Sequence, residues 1–320
     1  MTVPAIEISG LHKTYRTRKG LIHAVGGLDL VVPTGGVHGF LGANGAGKTT
    51  TIRALVGHLH ASAGEIRVLG QSVPSALPSV IDRIGALVEQ PSFFPNFTGR
   101  RNLRLLARSR GIGKTRVSEA LETVGLTERA DSRFATYSLG MKQRLGVAAV
   151  LLKDPELLIL DEPANGLDPP GILEMRTLLR RLGAEGRTVL ISSHILSEVE
   201  QTCDRVTVIA RGRTVKTGSV RELLDAGESK FHIRIPGGDR ERHVAASVLT
   251  QAGFEVLVDP HGELAVEVAA DHADMVTKTL ADASIYLSLL SPIERSLEEV
   301  FLELTAEPDA PPPPTDRGTA

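Results

Sequence analysis

The chain has 320 residues, room for one large domain and a smaller one. With 42% hydrophobic and 23% charged residues, it has the balance of a soluble globular protein. A formal net charge of −2 excludes the broad basic field of a general nucleic-acid binder, but not one nucleotide held by local contacts.

A single cysteine, Cys203, excludes an intramolecular disulfide and fits a reducing compartment. No apolar run approaches the ~20 residues needed to cross a bilayer. The longest, Gly146–Leu152, is stopped by Lys153 and Asp154. The start of the chain lacks the layout of a secretion signal. Any membrane process is expected to rely on another chain for the spanning part.

Along residues 1–225, strand-like runs alternate with helical ones. The expected strands include Ala5–Ser9, Gly36–Leu41, Leu157–Leu160, Thr188–Ser192 and Val206–Ala210. The last four are short and continuously apolar, as strands buried on both faces should be. Lys48–Gly57 and Gly171–Leu182 read as helices, giving an α/β class with a mostly parallel core. Residues 91–152 interrupt the strand series and read as an inserted helical subdomain. From residue 230 to 305 the expected order is strand Phe231–Ile235, helix His243–Ala252, strands Glu255–Val258 and Leu264–Val268, helix Ala273–Ala283, strand Ile285–Leu290 and helix Ile293–Leu304. That order is a split βαβ, ferredoxin-like α+β domain. The tail from Ala306, with Pro308 and Pro311–Pro314, reads as disordered.

Gly42-Ala43-Asn44-Gly45-Ala46-Gly47-Lys48-Thr49-Thr50 fits the pattern G-x-x-x-x-G-K-[ST]. A strand precedes it and a helix follows, the setting that this motif requires. Glycines let the backbone wrap phosphates and present N–H groups at a helix N-terminus. Lys48 is placed to reach the β- and γ-phosphates, and Thr49 to offer its hydroxyl to Mg²⁺. The run Leu157–Leu160 ends in Asp161 and Glu162. Two carboxylates at the end of a buried strand need a cation or solvent beside them. The expectation is that Asp161 holds Mg²⁺ through water and that Glu162 polarises the attacking water. His194 follows the run Val189–Ile191, at the strand edge where open α/β sheets bind ligands.

The order of these motifs resembles that of the ATP-binding-cassette ATPases, the motor subunits of ABC transporters. The resemblance covers residues 5–225. Gln90 in Leu87-Val88-Glu89-Gln90-Pro91 is similar to the family's Q-loop glutamine, which contacts Mg²⁺ and water. Tyr137-Ser138-Leu139-Gly140-Met141 resembles the signature motif, Gly166-Leu167-Asp168 the D-loop, and His194 the switch histidine facing the γ-phosphate. Tyr15 stands where the family stacks an aromatic ring on adenine. The signature departs from the usual LSGGQ, with Leu139 for a glycine and Met141 for the glutamine. Ser138 and Gly140 keep the hydroxyl and the backbone donors at a helix N-terminus. Leu139 is expected to point away from the ligand.

The resemblance implies a P-loop NTPase core of the ABC type, with ATP and Mg²⁺ as its ligands. It implies a homodimer, or a pairing with a related ATPase subunit, in which one chain's signature covers the other's nucleotide. It also implies an integral membrane permease as partner and a place on the cytoplasmic face of the membrane. Pro91–Phe97 holds three of the eight phenylalanines, and Phe93, Phe94 and Phe97 are candidates for the permease contact. Ser296-Leu297-Glu298-Glu299-Val300-Phe301 is similar to the endings of drug- and antibiotic-export ATPases. The second reading is a soluble ATPase of the same type acting on ribosomes or chromosomes. Ribosomal members usually carry two cassettes per chain, and no sustained heptads mark a chromosomal coiled coil here.

Overall fold

A computed structural model describes residues 3–18, 20–88, 92–224, 230–258, 263–269, 272–293 and 296–306. Gln90 and the proline-rich tail lie outside the described residues. Contacts divide the chain into two compact units, residues 1–220 with 301–320, and residues 221–300.

The first unit runs β1 (Ile6–Thr17), β2 (Gly20–Val32), β3 (Gly36–Leu41), α1 (Lys48–Leu55), β4 (Ala63–Val68), β5 (Gln71–Ser72) and β6 (Ile84–Leu87). Then come α2 (Gly99–Ser109), α3 (Lys114–Thr123), α4 (Leu139–Leu151), β7 (Leu157–Asp161), α5 (Pro169–Ala184), β8 (Thr188–Ser193), α6 (Leu196–Thr202), β9 (Arg205–Ala210) and β10 (Arg213–Ser219), before the short α7 (Val220–Leu224). Two sheets form. One has the order β10-β9-β3-β8-β7-β6, parallel except for the β10 edge. The other, β2-β1-β4-β5, is antiparallel.

The four strands read as doubly buried, β3, β7, β8 and β9, are the consecutive interior of the first sheet together with its β8–β7 pairing. Their continuous apolar runs are what two covered faces require. One core joins both sheets. Ile6, Ile8, Leu28 and Leu30 come from the antiparallel sheet, Ile52 and Leu55 from α1, and Phe40, Leu157, Ile159 and Leu190 from the parallel one. α1 packs on strands of both sheets, which fixes the direction in which its N-terminus points. α2, α3 and α4 fall between β6 and β7 in the chain, so the helical segment interrupts the parallel sheet. Thr98 caps α2 by accepting from Arg101 N at 3.1 Å.

The second unit holds β11 (Lys230–Arg234), α8 (Asp239–Gln251), β12 (Glu255–Val258), β13 (Leu264–Glu267), α9 (Ala273–Asp282) and β14 (Leu289–Ile293), and α10 (Leu297–Ala306) follows in the chain. The sheet order β12-β13-β11-β14, antiparallel throughout, is the split βαβ arrangement. Phe231, Ile233, Leu249, Val266, Val276 and Leu280 form its core. The last strand begins at Leu289 rather than at Ile285. Ile285 and Leu287 pack on that core before pairing starts, so the apolar alternation begins ahead of the ladder. Pro292 is tolerated because β14 is an edge strand.

Candidate nucleotide site

β3 delivers residues 42–47 at its C-terminal end, and α1 begins at Lys48. Gly47 has φ +107, and a Cβ there would stand 2.8 Å from Ala24 O, so only glycine fits. The loop is tied on two sides: Gly42 N donates to Ser193 O at 3.4 Å, and Gly212 N to Ala46 O at 3.0 Å. The Lys48 side chain is only 6% exposed and folds back over its own loop. Its Nζ donates to Gly42 O at 2.7 Å and approaches Ala43 O at 3.4 Å.

The parallel register sets Leu41 beside Ser193 and Asp161 beside Ser192. Three strand ends therefore meet at one edge. Ser192 Oγ donates to Asp161 Oδ1 and accepts from Glu162 N at 2.8 Å. Glu162 has φ +49, a left-handed conformation that costs a non-glycine residue about 1 kcal/mol or more. That turn carries its carboxylate across the loop. Oε1 lies 3.2 Å from Lys48 Nζ, and Oε2 lies 2.8 Å from His194 Nδ1. A carboxylate only accepts, so Nδ1 carries a proton and the ring is oriented.

These groups open onto a cleft of about 590 Å³. Tyr15, Ala43, Asn44, Gly45, Gly47, Lys48, Thr49, Thr50, Glu162 and His194, all expected from the sequence, line it. Tyr15 is half-buried, pairs across the hairpin with Ile22, and carries Lys13 Nζ 5.2 Å from its ring centroid. Ile22, His23, Ala24 and Asn165 line the cleft without having been singled out. Asn165 precedes the D-loop, three residues after Glu162, and that spacing was the available signal. Nothing local marks residues 22–24, which arrive through hairpin register.

Asp161 and the signature residues do not line this cleft. Ser138 caps α4, its Oγ accepting from Met141 N at 3.2 Å, and Gly140 is buried beside it. Leu139 is 38% exposed. Asp168 caps α5 by accepting from Gly171 N at 3.2 Å. Among the described residues, no group of three or more His, Cys, Asp or Glu side chains is arranged to hold a metal ion unaided.

Of the three phenylalanines, Phe93 is buried edge-on against Phe134, their centroids 5.1 Å apart. It belongs to a satellite core, so it does not serve as an open contact. Phe94 is 53% exposed beside Phe97, which is covered by Arg101 at 3.9 Å. Asn102, buried, holds this turn by accepting from Phe94 N at 2.8 Å and donating to Phe94 O and Thr98 O at 3.1 Å.

A phosphate loop on a central parallel strand, with a histidine after the neighbouring strand β8 and an acidic pair at the end of β7 beyond it, defines a P-loop ATP-hydrolysing cassette. Residues 25–165 match the family model described as ABC transporter. The chain is 39% identical over 306 residues to the ABC transporter ATP-binding protein YhcH of Bacillus subtilis, covering 94% of this chain and 96% of that one. It is 38% identical to the bacitracin transport ATP-binding protein BcrA of Bacillus licheniformis, over 93% and 96% of the two chains. With the daunorubicin/doxorubicin resistance ATP-binding protein DrrA of Streptomyces peucetius it shares 36% identity, over 95% and 93%. Among solved structures, cbiO1 of Clostridium perfringens, part of the cbiONQ transporter complex, matches with a TM-score of 0.62 at 27% identity, over 78% of this chain and 95% of that one. The dimeric cassette MJ0796 bound to ADP and Pi, at 22% identity and a TM-score of 0.60, shares the fold over 68% of this chain and 99% of that one. The chain belongs to the family of ABC transporter ATP-binding subunits, and it is an ATPase.

Proposed function

We propose that the chain is the cytoplasmic motor of an exporter. In this reading two copies close head to tail on two ATP molecules and drive a separate membrane permease. The observation that carries it is the split between the cleft and the signature turn. Lys48, Glu162 and His194 share one cleft, while Ser138 and Gly140 present a helix N-terminus elsewhere. Backbone donors at such a terminus suit a phosphate that a second copy supplies.

In the cleft, the N–H groups of residues 42–50 cradle the phosphates and Tyr15 stacks on the adenine. Lys48 exchanges its contact with Glu162 for the β- and γ-phosphates. Glu162, released on one oxygen and still held by His194 on the other, turns to the attacking water as base or orienting group. His194 meets the γ-phosphate from the same edge. Thr49, Asp161 and Gln90 are the residues that would hold Mg²⁺. Hydroxyl and carboxylate oxygens suit that hard cation, which keeps several waters and takes its remaining ligands from phosphate. Ser192 fixes Asp161 for this purpose. When bound, Mg²⁺ neutralises charge on the β- and γ-oxygens.

Among the described residues, no helix is long and apolar enough to cross a membrane, in keeping with a peripheral role beside a permease. A groove of about 420 Å³, lined by Ile81, Val88, Leu106 and Val150 and flanked by Arg110, supplies a seat for a permease helix. Phe94 is the exposed aromatic on the turn before α2. The export direction draws on the likeness to BcrA and DrrA, which spans the second unit as well as the first. Purification of the full chain from solubilised membranes tests this. A polytopic membrane protein should come with it, and vesicles holding both should move substrate outward only with ATP. Recovery of the chain without any membrane partner overturns the reading.

A further inference from the structure

Charge is spread unevenly along the chain. From residue 90 to residue 118 there are seven Arg and Lys residues and no Asp or Glu, although the whole chain carries a formal net charge of −2. Most of the seven fall on or just after α2. At 3.6 residues per turn, Arg101, Arg104, Leu105 and Arg108 fall within an arc of about 100°, and all four are exposed. Leu103 and Ala107, on the other face, are buried. Arg100 is paired with Asp131 at 3.0 Å, and that pair, with the weaker field of Arg104, holds the Asp131 carboxyl below its usual range. Arg101, Arg104 and Arg108 make no ion pair among the described residues. Arg101 lies over the Phe97 ring at 3.9 Å, which keeps its guanidinium on this face. Leu105 stands among the three arginines and is 45% exposed. Leu106, beside it, lines the groove proposed as the permease seat.

We propose that the Arg101, Arg104, Leu105 and Arg108 face of α2 binds the anionic headgroups of the bilayer directly. Three unpaired guanidinium groups on one face repel each other and gain from an anion, and each can hold a phosphate through two N–H groups. The leucine among them gains from leaving water. The headgroup layer of an anionic bilayer offers both: phosphates for the arginines and the acyl boundary for the leucine. A nucleic acid offers phosphates without that apolar layer, and the chain's net negative charge opposes it. The proposal rests on the reading of a subunit docked beside a membrane, and adds a contact that the chain makes without its permease. A permease helix seated against Leu106 would hold the neighbouring arginine face at the membrane surface, so the two contacts support each other.

The test is sedimentation of the full chain with vesicles of phosphatidylcholine, either alone or mixed with about one third phosphatidylglycerol. Wild type should pellet only with the phosphatidylglycerol vesicles and should be released by ~1 M salt. Arg104→Gln combined with Arg108→Gln should bind about 30-fold more weakly, about fivefold per arginine. Its ATP hydrolysis in solution should stay within about twofold of wild type, since neither residue lines the nucleotide cleft. Arg104→Lys combined with Arg108→Lys keeps the charge and should still bind. Arg240→Gln combined with Lys278→Gln changes two exposed residues of the second unit by the same net charge, and should bind as wild type. Wild type that does not pellet with phosphatidylglycerol, or pellets equally with both kinds of vesicle, overturns the proposal. So does unchanged binding by the Arg104, Arg108 glutamine variant, or an equal loss in the Arg240, Lys278 variant. If the glutamine variant loses hydrolysis as well, the lysine variant decides: active and bound supports the proposal, active and unbound overturns it. Failure here leaves the exporter reading standing, because recovery of a membrane partner with the chain is a separate observation.

Discussion

The Glu162 carboxylate lies 3.2 Å from the Lys48 ammonium, and both groups face the same cleft. Lys48 is buried, so its charge has little water around it and depends on partners. Glu162 is the ionic one, and Gly42 O and Ala43 O supply the rest. Replacing Lys48 by Ala removes the cation proposed to meet the β- and γ-phosphates and leaves the Glu162 carboxylate without its ionic partner. ATP affinity should drop, and hydrolysis should fall about 10²–10³-fold. Calorimetric titration and a phosphate-release assay check both.

His194 holds the other oxygen of Glu162 at 2.8 Å. His194→Ala frees that carboxylate to rotate and removes a donor at the strand edge, without altering the loop that binds phosphate. The expected result is kcat lower by about 10²-fold with ADP affinity within a few-fold of wild type. Comparable losses in both would place His194 in binding rather than turnover.

Tyr15 forms one wall of the cleft, opposite Ile22 on the hairpin. Tyr15→Ala should cost about 1–3 kcal/mol of nucleotide affinity, and Tyr15→Trp should retain it. The effect should be the same for ATP and ADP, since the proposed stacking is on the base that both share. Fluorescent-nucleotide titration separates this from a phosphate effect.

His38 gives the chain a pH dependence unrelated to nucleotide. Burial, and then the Arg205 charge, lower its pKa to about 4, and its Nε2 is engaged with Thr207 Oγ1 at 3.0 Å. Unfolded, the imidazole titrates near ~6.5. Between those values the unfolded chain binds more protons than the folded one, so stability falls as pH drops through that window. Above it, His38 is neutral in both states and contributes no slope. Going from pH 7 to pH 5 should cost about 2 kcal/mol through this group. Urea unfolding at both pH values, for wild type and His38→Gln, measures it as the difference between their pH slopes.

The candidate nucleotide site is legible in the sequence wherever its residues are contiguous or end a buried strand. The phosphate loop carries its glycines, Lys48 and Thr49 in one run, and Asp161, Glu162 and His194 each follow an apolar strand. Asn165 and residues 22–24 were not legible. The hairpin reaches the loop through a register broken by bulges near Ile8, Leu11 and Lys13, which no local pattern announces. The same limit applies to the phenylalanines. Composition groups Phe93 with Phe94, and only packing on Phe134 buries one and leaves the other exposed. In the second unit the order of elements was readable from periodicity, whereas the start of β14 was not. Side chains that pack on a core alternate whether or not their backbone is paired.

In the proposed function, Glu162 drives hydrolysis within a site completed by a second copy. The most direct measurement follows Glu162→Gln in the full chain, recording ATP turnover and mass by light scattering together. Gln keeps the size of the side chain and removes its charge. Turnover should fall about 10²–10⁴-fold while ATP still binds, and the chain should accumulate as a dimer with ATP and remain monomeric with ADP. Wild-type turnover in this variant would contradict the role of Glu162, and a monomer at saturating ATP would contradict the pairing.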